Sequence, residues 1–365
     1  SHSHGEQNSF TLTAWNEPLA ISSGWYDWYG SDHHFNFNRQ TRSKNTILVD
    51  GQGQHFRHIA AAGEITDFHT GAGYDFTTGE AAQAYAGKLE RFRREILYCV
   101  PDYFLVIDDL EAPRPVHFNW LLHTISSPQI DEGRRVLELE QNGVHFQAHF
   151  LTPSALQFEL SDRYYTSGDA LSVFKEQEAL PETEQPAQYH MAATTIAPDT
   201  QGYFVTVLYP YQGPAPALDF SGACHDSVYE VRAVGDGRLD TTLISRNGQA
   251  TTLSSAGIEA EGAMVSVSWR ESRAVQLLLK AGRSLLLADG LAIAASEPCT
   301  VSIQFFDEGA QAIAELATDT SLRIRLPDSP RQVSVNGDAS SMRADVDGYV
   351  TLELPAGKHV IDLSS

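Results

Sequence analysis

Cysteine and positive charge are both scarce in this chain. Cysteine occurs three times in 365 residues, as Cys99, Cys224 and Cys299. An odd number of widely separated cysteines with no CxxC spacing argues against a disulfide framework and supplies no zinc or redox motif. Cys99 lies in the apolar run EILYCV and reads as a small buried core residue. Lys and Arg total 25 against 47 Asp and Glu, a formal net charge of −22. Such an excess repels nucleic acid and anionic membranes at long range, so neither is expected as a partner. No uninterrupted apolar run approaches the length of a membrane-spanning helix, and the opening SHSHGEQNSF has neither the basic start nor the apolar core of a signal peptide. HExxH, GxSxG and Walker-type loops are also missing, which removes the common hydrolase and nucleotide-binding signatures.

What the chain has instead is alternation with a period of two. SFTLTAW, NTILVDG, REILYCV, YFLVIDDL, HFNWLLHT, VLELEQ, VHFQAHFL, YFVTVLYP, AVQLLLK, RSLLLADG, LRIRLP, RQVSVNG, YVTLELP and HVIDLSS all read as strands. Between them stand pairs that reach positive φ in tight hairpins: Asp50-Gly51, Asn142-Gly143, Asp236-Gly237, Asn247-Gly248, Asn336-Gly337 and Asp347-Gly348. Helix is expected only in short pieces, around EAAQAYAGKLERF and EGAQAIAEL. The expected fold is all-β: a large antiparallel β-sandwich over residues 1–290, followed by a small β-sandwich over 291–365, where Pro and Gly divide short strands. No fixed-period repeat points to a propeller or solenoid. Residues 177–188 read as an exposed acidic loop. The start, His-rich and without methionine, reads either as the middle of a longer polypeptide or as a tag.

Chemistry-bearing side chains crowd the first 58 positions, which hold six of the 14 histidines: His2, His4, His33, His34, His55 and His58. The stretch WYDWYG supplies flat rings of the kind that line carbohydrate sites, and the basic island Arg39–Lys44 offers local attraction to an anion within an acidic whole. Aromatics of this kind also build ordinary sheet cores, and the two readings stand side by side. His2 and His4 point the same way on an extended strand and so suit a shared metal or acid–base work. His33 and His34, if extended, point to opposite faces. His117 and His123 read as satisfied core histidines, and Tyr189 with His190 as a pair at the edge of a cleft. Asp108 and Asp109 read as turn and strand-end carboxylates.

Three segments together resemble the C-terminal part of the heparinase II/III-like polysaccharide lyases, most closely the oligoalginate and glycosaminoglycan exolyases. They are SHSHGEQNSFTLTAWNEPLAISSGWYDWYGSDHH, TRSKNTILVDGQGQ and DYFLVIDDLEAPRPVHFNWLLHT, and they cover about the first third of the chain. The resemblance implies an N-terminal α/α toroid, then the β-sandwich and a small β domain, with only the β portion in this chain. It places an HxH motif at the start of the sandwich, which argues against a tag. It makes His2 the catalytic histidine facing the reacting uronate, and His4 the match of a histidine that binds a structural zinc in some members. The two positions that complete that zinc site fall on Ser22 and Lys44, so no zinc and no other cofactor is expected here.

The activity implied is β-elimination at a 4-linked uronic acid in an anionic oligosaccharide or polysaccharide. A catalytic tyrosine is expected on the toroid of the same protein. Trp28, Tyr29, His33 and Arg39 are the expected substrate contacts, with Asn45 and Gln54 behind them. Alginate and glycosaminoglycan substrates both satisfy this reading. The alternative, from a different class, is a carbohydrate-binding β-sandwich without catalysis.

Overall fold

A strand that alternates apolar and polar residues buries one face, and a strand covered on both sides buries nearly everything. Both patterns recur here. The structure, a computed structural model, describes residues 3–25, 28–56, 58–164, 187–213, 216–235, 237–326, 330, 332–340 and 345–364. His2, the expected acidic loop over 177–188 up to residue 186, and Asp236 of one expected turn lie outside the described residues. Among the described residues no helix is long and apolar enough to cross a membrane.

The chain forms two compact units. The first comprises residues 1–68, 77–97 and 102–216; the second comprises 69–76, 98–101 and 217–365. In chain order the first strands are β1 (Leu12–Ala14), β2 (Glu17–Ala20), β3 (Ile47–Val49), β4 (Glu64–Thr70), β5 (Tyr74–Glu80), β6 (Arg91–Cys99) and β7 (Tyr103–Val116). They continue with β8 (Phe118–Thr124), β9 (Gln129–Asp131), β10 (Val136–Gln141), β11 (Val144–Thr152), β12 (Leu156–Ser161), β13 (Tyr189–Thr195) and β14 (Asp199–Gln212). An eight-stranded sheet runs β4-β5-β6-β7-β14-β11-β10-β9, and a four-stranded sheet runs β12-β13-β8-β3. All these pairings of β7 to β14 are antiparallel, as hairpins in series require. Asp50-Gly51 and Asn142-Gly143 have positive φ at both residues, the conformation of a tight hairpin turn.

The first core lies between these two sheets. Phe92, Val106, Leu110, Leu137, Phe146 and Phe204 from the larger sheet pack with Phe118, Trp120, Leu122 and Met191 from the smaller. Each such side chain contributes roughly 1.5–3 kcal/mol by leaving water. Every residue of β8 is buried.

In the second unit a continuous antiparallel path runs from Asp219–His225 through Met264–Arg270, Arg273–Leu287, Ala292–Phe306 and Gly309–Leu316 to Gly357–Ser364. The runs AVQLLLK and RSLLLADG are one strand, Arg273–Leu287, interrupted at Ala281, where φ is 47° and the register shifts. The expected domain start at residue 291 falls between two strands of one sheet. Arg273–Leu287 and Ala292–Phe306 are paired to each other, so the short C-terminal strands continue the preceding sheet.

Three further expectations are corrected. EGAQAIAEL is the strand Gly309–Leu316, in which Ala310, Ala312, Ala314 and Leu316 are buried alternately; its helix-forming alanines follow the sheet's period of two. Of EAAQAYAGKLERF only Ala82–Tyr85 is helical, as a 3₁₀ turn. Asp108 and Asp109 are neither turn nor strand-end residues. They sit in the middle of β7, where Asp108 pairs with Arg94 and Asp109 with Arg91.

The Arg94–Asp108 pair is bidentate, at 2.6 and 2.9 Å, and buried. Trp120 Nε1 donates to Asp108 Oδ2 at 2.9 Å. Arg94 Nη1 donates to the Asn8 and Asn45 carbonyls at 2.7 and 2.8 Å. Removing one member of such a pair strands the other charge out of water. Arg94→Met is expected to cost about 3–5 kcal/mol in urea unfolding, and Arg94→Met with Asp108→Leu less than the sum of the two single changes.

Candidate functional site

Apart from His2, the expected site residues gather in the first unit, on the N-terminal segment Ser3–Asn8 and the long loop between β2 and β3, with Gln54 just after β3. The loop's fold follows from its small and polar residues. Ser31 Oγ accepts the His34 N–H at 3.0 Å and so starts a single wide helical turn, His34–Asn38. Asn38 Nδ2 donates to the Gly24 carbonyl at 2.7 Å, and Ser43 Oγ donates to the carbonyls of Asn38 and Gln40. These bonds turn the loop back on itself.

The N-terminal segment is held against this loop. Gly5 N–H donates to the Arg39 carbonyl at 2.9 Å, and Arg39 Nη2 to the Ser3 carbonyl at 2.7 Å. Gln54 accepts the Gln7 N–H and donates to the Gln7 carbonyl, both at 2.8 Å. A Cβ at Gly5 would lie 2.7 Å from Thr41 Oγ1, so this approach requires glycine. The residue after the described start, His4, is thereby fixed in position. Its Nδ1 lies 3.9 Å from Glu6 Oε2 and its ring 6.2 Å from that of His34, which in turn lies 5.3 Å from Tyr29. Burial lowers the His4 pKa, and Lys44, Arg39 and His34 add to this against Glu6. A neutral imidazole results, able to accept a proton.

The expected contacts separate into two layers. Trp28 and Tyr29 are more than half exposed, with the Tyr29 ring beside those of His34 and Phe35. His33 is buried, stacked on Phe37 at 5.7 Å and against Tyr164 at 4.8 Å. His33 and His34 lie on a helical turn rather than an extended strand, and both are buried. Arg39 is buried with its guanidinium over the rings of Phe35 and Phe56. Asn45 donates to the Phe10 and Ile21 carbonyls and accepts the His123 N–H. Gln54 also donates to Tyr85 Oη. The amides of Asn45 and Gln54 are committed to the protein, so they act on the site through the loops they hold.

Three features involve residues that the sequence named only separately. Lys44, buried, donates from Nζ to Ser22 Oγ at 2.6 Å and lies 3.9 Å from Glu6; burial lowers its pKa, against the pull of Glu6. Arg42 is desolvated enough that its pKa falls to about 10, and its Nε and Nη1 have no hydrogen-bond partner among the described residues. Beneath Phe37, His123 and His190 face each other across β8 and β13 with Nδ1 atoms 3.1 Å apart, and Ser23 Oγ lies 3.3 Å from His190 Nδ1. The hydrophobic pattern marks both histidine strands as buried. Only the register pairs the two rings.

A family model described as Heparinase II/III-like, C-terminal, matches residues 1–188. Among solved structures, the heparan sulfate lyase HepC from Pedobacter heparinus superposes with a TM-score of 0.52 at 18% sequence identity, over 67% of this chain and 37% of that one. The heparinase III that is the BT4657 gene product gives 0.52 at 14%, over 67% and 37%. A further heparinase III gives 0.50 at 16%, over 66% and 36%. At these identities the likeness is one of fold, and the chain spans a little over a third of the length of those proteins. No curated protein matches.

The histidine pair makes stability depend on pH. Burial, together with each ring's charged neighbours, holds His123 well below the ordinary value of 6.5 and brings His190 to about 3. The folded state keeps these rings neutral while the unfolded chain protonates them below about pH 6.5. Stability is therefore complete above that pH and falls as pH drops towards 3, by up to about 1.4 kcal/mol per pH unit for each ring. Urea unfolding between pH 7 and 4 is expected to show this slope, and His190→Gln to make it shallower.

Proposed function

The chain belongs to the heparinase II/III-like family through the C-terminal domain that its first 188 residues form, and on that premise we propose that it is the β portion of a polysaccharide lyase. The proposed substrate is an oligosaccharide or polysaccharide with 4-linked uronic acids, and the partner is an α/α toroid of the same protein. One observation carries this reading. A chain of net charge −22 buries two cationic side chains, Arg39 and Lys44, and partly desolvates a third, Arg42, behind a histidine and aromatic face. Buried cations act through a lower dielectric than surface ones and are screened less by salt.

The chemistry of elimination suits such a face. The proton on C5 of a uronate is weakly acidic until the adjacent carboxylate is neutralised by hydrogen bonds or positive charge. A base then takes that proton, the C4–O4 bond breaks, O4 leaves with a proton from an acid, and a C4=C5 double bond remains. No water is consumed. In this proposal His2 meets the reacting uronate. Trp28 and Tyr29 receive sugar faces. His33, Arg39, Asn45 and Gln54 hold the loops beneath.

We infer further that this chain uses no zinc at the position of His4. The support is the donor set: the Lys44 ammonium donates to Ser22 Oγ and faces Glu6, so a fixed positive group stands beside His4 and would repel a divalent cation. No step is assigned to a metal.

Elimination creates a conjugated double bond that absorbs in the ultraviolet, whereas hydrolysis and binding do not. The full-length protein mixed separately with oligoalginate, heparan sulfate, hyaluronan and chondroitin is expected to raise the absorbance with at least one polymer, and His2→Ala to lower that rate by at least about 100-fold. Absorbance that stays flat on all four, from folded protein, would favour a binding module. Chelator treatment is expected to leave Tm unchanged, and Ser22→Asp with Lys44→His to make Tm rise on adding zinc, read by calorimetry.

A further inference from the structure

Of the three cations behind the surface of the site, two are committed to the protein itself. Arg39 Nη2 donates to the Ser3 carbonyl, and Lys44 Nζ donates to Ser22 Oγ while facing Glu6. Arg42 is different. No hydrogen bond, ion pair or ring contact engages its side chain among the described residues. The short turn that carries it, Thr41–Ser43, is fixed by the residues on either side. Thr41 Oγ1 accepts the Gln54 N–H at 2.8 Å, and Ser43 Oγ donates to the carbonyls of Asn38 and Gln40. Arg42 thus projects from a locked backbone with no bond of its own to make there.

A guanidinium left in this state destabilises the free protein. Nε and Nη1 are shut off from water without an acceptor, and burial alone brings the pKa to about 10, so the group is still charged at neutral pH. The chain has 47 carboxylates, yet none of the described ones pairs with it. The residue as a whole is partly exposed, and Nη2 is the one guanidinium nitrogen not shut off in this way. A partly desolvated cation that can be reached from one end attracts an anion more strongly than a fully hydrated one, because the dielectric around it is lower and salt screens it less.

We propose that Arg42 is a substrate-binding residue that pairs with a carboxylate of the bound polysaccharide. The ligand class rests on the uronate reading of the site: a uronate presents one carboxylate on each ring, and a guanidinium matches that group in charge and geometry. A neutral sugar offers Arg42 no counter-ion. The carboxylate is already charged before the C5 proton leaves, so the pairing exists in the ground state and belongs to binding rather than to the elimination step.

Arg42→Met in the full-length protein tests this without and with ligand. Without ligand the variant is expected to match or exceed the wild-type Tm, because it removes a stranded charge. A clear fall in Tm would show that Arg42 has a counter-ion within the protein, and overturns the proposal. Calorimetric titration with alginate and heparan sulfate tetrasaccharides then reads binding, with cellotetraose as the neutral control. For the uronate that binds, Arg42→Met should weaken affinity at least about tenfold and Arg42→Lys less, with KM rising in the elimination assay and kcat staying within about twofold. Unchanged affinity, or equal weakening of cellotetraose, overturns the role of Arg42 and leaves the lyase standing. A fall in kcat at constant KM overturns binding as that role. Weaker uronate binding by Arg42→Met, in a protein that never eliminates, supports Arg42 and overturns the lyase. Absence of uronate binding by the wild type overturns the proposal whatever the absorbance shows.

Discussion

One buried guanidinium holds together the parts on which the candidate site depends. Arg94, on β6, grips Asp108 of β7 with two bonds, and Asp108 in turn accepts from Trp120 of β8. The same guanidinium reaches the Asn8 carbonyl of the N-terminal segment and the Asn45 carbonyl at the end of the long loop. Phe10, Phe92 and Trp120 surround it with rings 5.5–5.8 Å from its centre. A charge removed so far from water is tolerated because these donors and acceptors are matched. The two segments that carry His4, Trp28 and Tyr29 thus share this one guanidinium among their ties to the two-sheet core.

From that point outwards the site is built by polar groups used as structural ties. Asn45 and Gln54 hold carbonyls, Arg39 holds Ser3, and Lys44 holds Ser22. The cations nevertheless keep their charge within the protein, behind an aromatic and histidine surface. One set of side chains therefore both fixes the loops and sets a positive local field in an acidic molecule. Beneath them the His123–His190 pair contributes no charge near neutral pH, because burial keeps both rings neutral.

Much of the fold was legible, and the reason can be seen strand by strand. YFLVIDDL, HFNWLLHT and VHFQAHFL became β7, β8 and β11, and Asp50-Gly51 and Asn142-Gly143 turned where their side chains permit positive φ. EGAQAIAEL was misleading because alanine favours helix locally while its alternation satisfies a sheet that only distant strands provide. Less of the candidate site was legible. The crowding of His4, Trp28, Tyr29, His33 and Arg39 in sequence does correspond to one region of the first unit. Which of them are exposed and which are buried did not show, because an exposed Trp28 and a buried His33 belong to the same loop.

By itself, the sequence determined the strands, their turns, the acidic balance and the family resemblance, since each depends on residues within a few positions of one another or on composition. Tertiary structure alone decided that His123 meets His190 across 67 residues, that Lys44 meets Ser22 across 22, and that Arg94 meets Asn8 across 86. Those meetings are set by sheet register and by how a long loop closes. Both are collective outcomes of packing that no local pattern of side chains encodes.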